Sequence, residues 1–168
     1  LGVSLDENLK MIEDSVRFLK QRGRRVFYDA EHFFDGWRAN PAYCLKTVRA
    51  AQEAGDDVVI FCDTNGGTLP EDVSRVIGEA KRVVRVPTGI HAHNDCELGV
   101  ANSLAAVRAG CRQVQGTMNG YGERCGNADL TAVIPGLELK LGVRALSPGH
   151  LAELPAVGFR DHVWPKFL

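Results

Sequence analysis

Val58-Val59-Ile60-Phe61-Cys62-Asp63-Thr64-Asn65 is an unbroken apolar run that turns polar at once. Apolar residues on both alternating faces mark a strand buried from two sides, the pattern of a parallel sheet covered by helices. Three more stretches have the same outline. Arg25-Val26-Phe27-Tyr28-Asp29 leads into Ala30-Glu31, Val86 to His91 leads into Ala92-His93-Asn94, and Gln113-Val114-Gln115-Gly116-Thr117 leads into Met118-Asn119-Gly120-Tyr121. Each strand delivers chemically able side chains where it ends.

Helical patterns separate these strands. Ser4 and Glu7 form a capping box ahead of Leu9, Ile12, Val16 and Leu19, and Gly23 stops that helix. Asn40-Pro41 supplies an N-cap and first residue for a helix ended by Gly55. Thr68 and Glu71 suggest a second capping box, with a helix to about Lys81. Further helices are predicted from about Glu97 to Ala109 and from Leu130 to Leu141, the last weakened by Pro135 and Gly136. Beyond Gly142 no period is apparent.

Strands and helices alternating in units of roughly 30 residues imply parallel βαβ connectivity. An open doubly wound sheet uses mainly the strand ends beside its switch point, whereas a (β/α)₈ barrel gathers every strand end into one ring. Polar residues at all four ends favour the barrel. The expected fold is therefore α/β, the C-terminal half of a TIM (β/α)₈ barrel over residues 1–142, with about four parallel strands alternating with helices. Residues 143–168 are expected to form an irregular tail. A half-barrel leaves open edges, so a homo-oligomer or a partner supplying the missing half is expected. The opening Leu1-Gly2-Val3, without Met, suits a piece of a longer protein.

A net charge of −1 over 168 residues offers no basic surface for nucleic acid or membrane. No apolar run approaches the roughly 20 residues of a membrane span, and no signal-like stretch opens the chain. The five cysteines are scattered, with no C-x-x-C pair. They read as reduced thiols in a cytoplasmic protein, Cys62 and Cys111 being buried and Cys125 the more suspect as a reactive group.

His91 and His93 stand two residues apart at a strand end, so both imidazoles face one point. Nitrogen donors with an amide oxygen from the next loop suit Mn²⁺, Mg²⁺, Co²⁺ or Zn²⁺ acting as a Lewis acid. Hydrogen-bonded histidines at a sheet end are the plainer alternative. Asp29 and Glu31 share a face of the first strand, although either acid alone reads equally well as a cap or a solvated group. Thr64 offers a hydroxyl for a substrate carboxylate, or an ordinary turn. Gly120-Tyr121-Gly122-Glu123-Arg124-Cys125-Gly126-Asn127 departs from the dinucleotide fingerprint, with Cys125 where the third Gly belongs. Its glycines allow close approach of backbone to a ligand. Asn127 fits either an N-cap or a ligand.

Gly89 through Gly110, continued by Gln113 through Asn127, resembles the second signature of the isopropylmalate/homocitrate/citramalate synthase family. Phe27 through Gly36 and Cys62 through Thr68 resemble its citramalate synthase branch. The resemblance covers about Ser4 to Gly142. It implies a metal-dependent Claisen condensation of acetyl-CoA with a 2-oxoacid, pyruvate favoured, in isoleucine or leucine biosynthesis. It implies His91, His93 and Asn127 as metal ligands, with a fourth ligand on a strand that has no counterpart here. Glu31 and Thr64 would line the 2-oxoacid pocket, with Glu31 assisting proton transfer. Gly120, Gly122 and Glu123 would lie on the acetyl-CoA side. Isopropylmalate or homocitrate synthesis, a 2-oxoacid aldolase, and a silent half-barrel that acts only through assembly remain alternatives.

Overall fold

The computed structural model describes residues 2–154. Helix α1 (Leu5–Gln21) precedes β1 (Phe27–Ala30). A short α2 (Phe33–Ala39) and then α3 (Pro41–Ala54) lead to β2 (Val58–Asp63). The chain continues through α4 (Pro70–Ala80), β3 (Thr88–Ala92), α5 (Gly99–Arg108) and β4 (Gln113–Gln115) to α6 (Leu130–Pro135).

The four strands lie side by side in the order β1-β2-β3-β4, every pair parallel. No order reversal interrupts them, so no topological switch point exists within the described sheet. Register fixes the faces. Asp29, Ile60, Gly89 and Gln113 form one row, and Cys62, His91 and Gln115 form the next, toward the strand ends. The alternate residues Ala30, Phe61, Ile90 and Ala92 join the helices in the main core, together with Phe33, Phe34, Val48, Val73 and Ile77. Val58, Ile60 and Cys62 make a separate buried cluster on the other face. Helices thus cover one side, and the opposite side is a concave trough. The trough is curled enough for Gln115 on β4 to reach Asp29 on β1 at 3.2 Å. That bond passes over two intervening strands, as an arc of a barrel wall requires and a flat sheet forbids.

Local chemistry explains the helix limits. Ser4 Oγ accepts from the Glu7 amide at 3.1 Å, and Asn40 Oδ1 accepts from the Tyr43 amide at 3.0 Å. Gly55 ends α3 with φ 102°, a left-handed conformation that suits glycine. Two expectations need correction, and one helix is additional. Thr68 caps no helix: α4 begins at Pro70 after Leu69, and Thr68 Oγ1 donates instead to Asp63 Oδ1 at 2.7 Å in the interior. Helix α2 went unread because it is short and contains Gly36. A Cβ there would meet Cys44 Sγ at 2.9 Å, so glycine is what lets α2 lie against α3. The last predicted helix is divided at Pro135, whose missing N–H and ring bulk disturb the ladder, and it continues as a π turn over Gly136–Lys140. Of the expected irregular tail, His150–Glu153 forms one 3₁₀ turn, and residues 155–168 lie outside the described residues.

Candidate metal centre

Strand β3 carries His91 one residue before its end, and the backbone stays extended through His93. The His93 amide donates to the Asp63 carbonyl at 3.2 Å, so β2 steadies the outgoing chain. The 117–129 loop then folds back over this point. His93 and Asn127 form an antiparallel bridge, the Ala128 amide donates to the Ala92 carbonyl at 2.9 Å, and the Asn94 amide donates to the Gly126 carbonyl at 2.9 Å. Two segments more than thirty positions apart are thereby laid edge to edge.

His91 Nε2 and His93 Nε2 face each other at 3.3 Å. Two imidazole nitrogens, each about 2.1 Å from one ion, lie roughly 3.0–3.4 Å apart at angles of about 90–110°. The observed spacing falls inside that window. His93 is 6% exposed and Asn127 8%. The Asn127 amide nitrogen donates to the Tyr121 carbonyl at 2.8 Å, leaving Oδ1 buried without a hydrogen-bond partner among the described residues. A buried carbonyl oxygen without a donor is costly unless something electropositive meets it. Among the described residues no three His, Cys, Asp or Glu side chains form a metal cluster. The candidate donors are therefore two imidazoles and one carboxamide. These types fit a borderline or hard divalent cation that keeps further positions for other oxygens. Asn127 is not an N-cap: Asp129 takes that role in α6, accepting from the Thr131 amide at 2.8 Å.

Glu31 and Thr64 meet at the ends of β1 and β2. Thr64 Oγ1 donates to Glu31 Oε2 at 2.8 Å and accepts from the His32 amide at 2.8 Å. The chain then leaves β1 through His32 in a left-handed conformation, φ 54°. Glu31 and Asp29 both press on the buried Cys62. Desolvation first, and then these two carboxylates, push its thiol far above the ordinary range, so Cys62 is an inert apolar filler here. Cys111 is likewise buried, whereas Cys125 is exposed.

In the glycine-rich loop, Gly120 ends the Met118–Gly120 turn with φ 69° and its carbonyl receives the Asn127 amide at 2.9 Å. A Cβ at Gly122 would fall 2.0 Å from Asn127 Nδ2, so only glycine leaves room for that carboxamide. Glu123 is exposed. Sequence reasoning passed over two partners. Gln115 bridges Asp29 and His91, and Arg124 binds Asp95. The alternation Gln113-Val114-Gln115 was the available signal, since it puts two amides on the trough face.

A parallel-stranded arc with paired histidines at a strand end defines part of a TIM-barrel catalytic domain. The chain belongs to the HMGL-like family, whose model matches residues 1–155. Among individual proteins, it is similar to (R)-citramalate synthase from Geobacter sulfurreducens, 53% identical over 92% of this chain and 29% of that protein. It is 40% identical to 2-isopropylmalate synthase from Methanocaldococcus jannaschii, over 86% of this chain and 27% of that one. In structure it matches HMG-CoA lyase from Bacillus subtilis with a TM-score of 0.74, covering 95% of this chain and 56% of that one at 16% identity, a likeness of fold alone. The chain thus spans under a third of the curated relatives' length. Among the described residues, no helix is long and apolar enough to cross a membrane.

Proposed function

We propose that residues 1–142 are the C-terminal half of the (β/α)₈ barrel of a citramalate-synthase-type acyltransferase. The single observation that carries the chemistry is the approach of the two Nε2 atoms to 3.3 Å, with the unpartnered Asn127 oxygen on the residue bridged to His93. His91, His93 and Asn127 would hold a divalent cation, Mn²⁺, Mg²⁺, Co²⁺ or Zn²⁺. When bound, such an ion supplies Lewis-acid polarisation of a ketone.

The reaction is condensation of acetyl-CoA with a 2-oxoacid, pyruvate favoured. A base takes a proton from the acetyl methyl group, the resulting enolate carbon attacks the ketone carbon, the alkoxide formed takes up a proton, and water then cleaves the thioester to release CoA. Glu31 and Thr64 face the 2-oxoacid. Thr64 has one hydroxyl proton and commits it to Glu31. A substrate carboxylate competes for that proton, and winning it frees the Glu31 carboxylate to assist proton transfer. Gly120, Gly122 and Glu123 lie on the acetyl-CoA side. Higher identity to the (R)-citramalate synthase (53%) than to the 2-isopropylmalate synthase (40%) supports the smaller 2-oxoacid. The outer edges of β1 and β4 call for further strands, from the same polypeptide, a second copy or a partner. A cytoplasmic location accompanies this function.

The test is CoA release, followed as free thiol, from the chain assembled into a complete barrel. Metal-dependent release with pyruvate is expected. Faster release with a branched 2-oxoacid would move the assignment to isopropylmalate synthesis, and release with neither would refute both.

A further inference from the structure

A hydrogen-bond chain runs across the trough from Asp29 to His93. Gln115 Nε2 donates to Asp29 Oδ1 at 3.2 Å, Gln115 Oε1 meets His91 Nδ1 at 3.0 Å, and His91 Nε2 meets His93 Nε2 at 3.3 Å. Donor and acceptor rules fix its polarity from one end. An ionised carboxylate only accepts, so Asp29 must face the amide NH₂ of Gln115. The other end of that amide is then its carbonyl, which also only accepts. His91 must therefore carry its proton on Nδ1, leaving the Nε2 lone pair pointing inward. For the 3.3 Å contact to be a hydrogen bond, neutral His93 must carry its proton on Nε2. Its Nδ1 is then a bare acceptor, and Nδ1 of His93 is a buried atom with no partner among the described residues.

We propose that Gln115, held by Asp29, is a positioning residue that locks His91 in the Nδ1–H tautomer and so presents its Nε2 lone pair to the cation site at all times. This rests on the metal site proposed above. His91 is prepared for ligation before any ion arrives, while His93 is not. Loading requires His93 alone to lose a proton from Nε2 and take one up at Nδ1, with no net proton released. Other partners of metal-bound imidazoles act similarly, and losing them typically weakens metal affinity about 10–100-fold.

The experiment is ¹⁵N NMR of histidine-labelled protein at a pH where the imidazoles are neutral. It compares the wild type, Gln115→Met and Asp29→Asn, with and without Zn²⁺. In metal-free wild type, His91 is expected as Nδ1–H and His93 as Nε2–H, with only His93 changing when Zn²⁺ is added. Asp29→Asn keeps size and removes the acceptor-only rule, so Gln115 can reverse and His91 becomes a mixture of tautomers. Gln115→Met should also mix the tautomers and lower Zn²⁺ affinity about 10–100-fold, with circular dichroism unchanged. A metal-free wild type with His91 as Nε2–H would overturn the proposal, as would an unmixed His91 in both variants. Wild type that shows the expected tautomers but binds no Zn²⁺ would count against the metal site and support the lock.

Discussion

Arg124 grips Asp95 with two nitrogens, Nε on Oδ1 at 2.8 Å and a terminal amino group on Oδ2 at 2.9 Å, and the same amino group reaches the Thr64 carbonyl at 2.7 Å. One side chain of the glycine-rich loop thus ties the ends of β2 and β3 to the segment that carries Asn127. Geometry of this forked kind fixes direction as well as distance.

Loosening that grip should loosen the ligand loop. Arg124 holds the Asp95 carboxyl below its ordinary value of 3.8. A depressed carboxylate keeps its partner above that value and loses it as pH falls through the lower, folded one. Arg124→Ala is expected to speed amide exchange across residues 120–127 at neutral pH. Acid below about pH 4 should do the same in the wild type. Unchanged exchange in the variant would show that the glycine-rich backbone holds itself.

Asp56 gives the opposite pH dependence. Its carboxylate is buried at 5% exposure and neither oxygen has a partner among the described residues. Desolvation, then repulsion from Asp57, raises its pKa to about 6, partly offset by Lys20. A raised carboxyl pKa favours the folded state at low pH, and that contribution is lost as pH rises through about 6. Integrated from the ordinary value, the loss is at most about 3 kcal/mol. Asp56→Asn should therefore gain stability over wild type between pH 4.5 and pH 8 in urea titrations. A stability difference that stays flat with pH would contradict this.

The Glu31–Thr64 pair separates binding from chemistry. Thr64→Val removes the hydroxyl that bridges the His32 amide and Glu31. A hydrogen bond to a charged group is worth about 1.5–3 kcal/mol, so KM for the 2-oxoacid should rise roughly 10–100-fold, with a smaller effect on kcat. Glu31→Gln should act mainly on kcat. Equal effects of both variants on KM alone would remove Glu31 from proton transfer.

The alternation of strands and helices was legible because apolar periodicity and caps are local signals: Ser4, Asn40 and Gly55 act as their residue types suggest. The two histidines were legible for a similar reason, since an i, i+2 pair on a strand needs no tertiary information to share a face. What escaped depended on distant partners. Thr68 looked like a cap but is claimed by Asp63 and its neighbour Asn102, which lies on α5 and donates to the Thr68 carbonyl at 2.8 Å. Gln115 depends on an aspartate 86 positions away, reachable only because the sheet curls. Helix α2 buries Phe33, Phe34 and Trp37 in the core, a helical spacing too short at seven residues to stand out, and Gly36 gives it clearance from Cys44.

The most direct measurement is calorimetry of Mn²⁺ binding to the wild type, His93→Ala and Asn127→Ala, with circular dichroism confirming the fold. If the imidazoles and the carboxamide share one ion, His93→Ala should abolish measurable binding and Asn127→Ala should weaken it at least about 10-fold. Equal Mn²⁺ affinity in wild type and His93→Ala would show that the two histidines meet for structural reasons only.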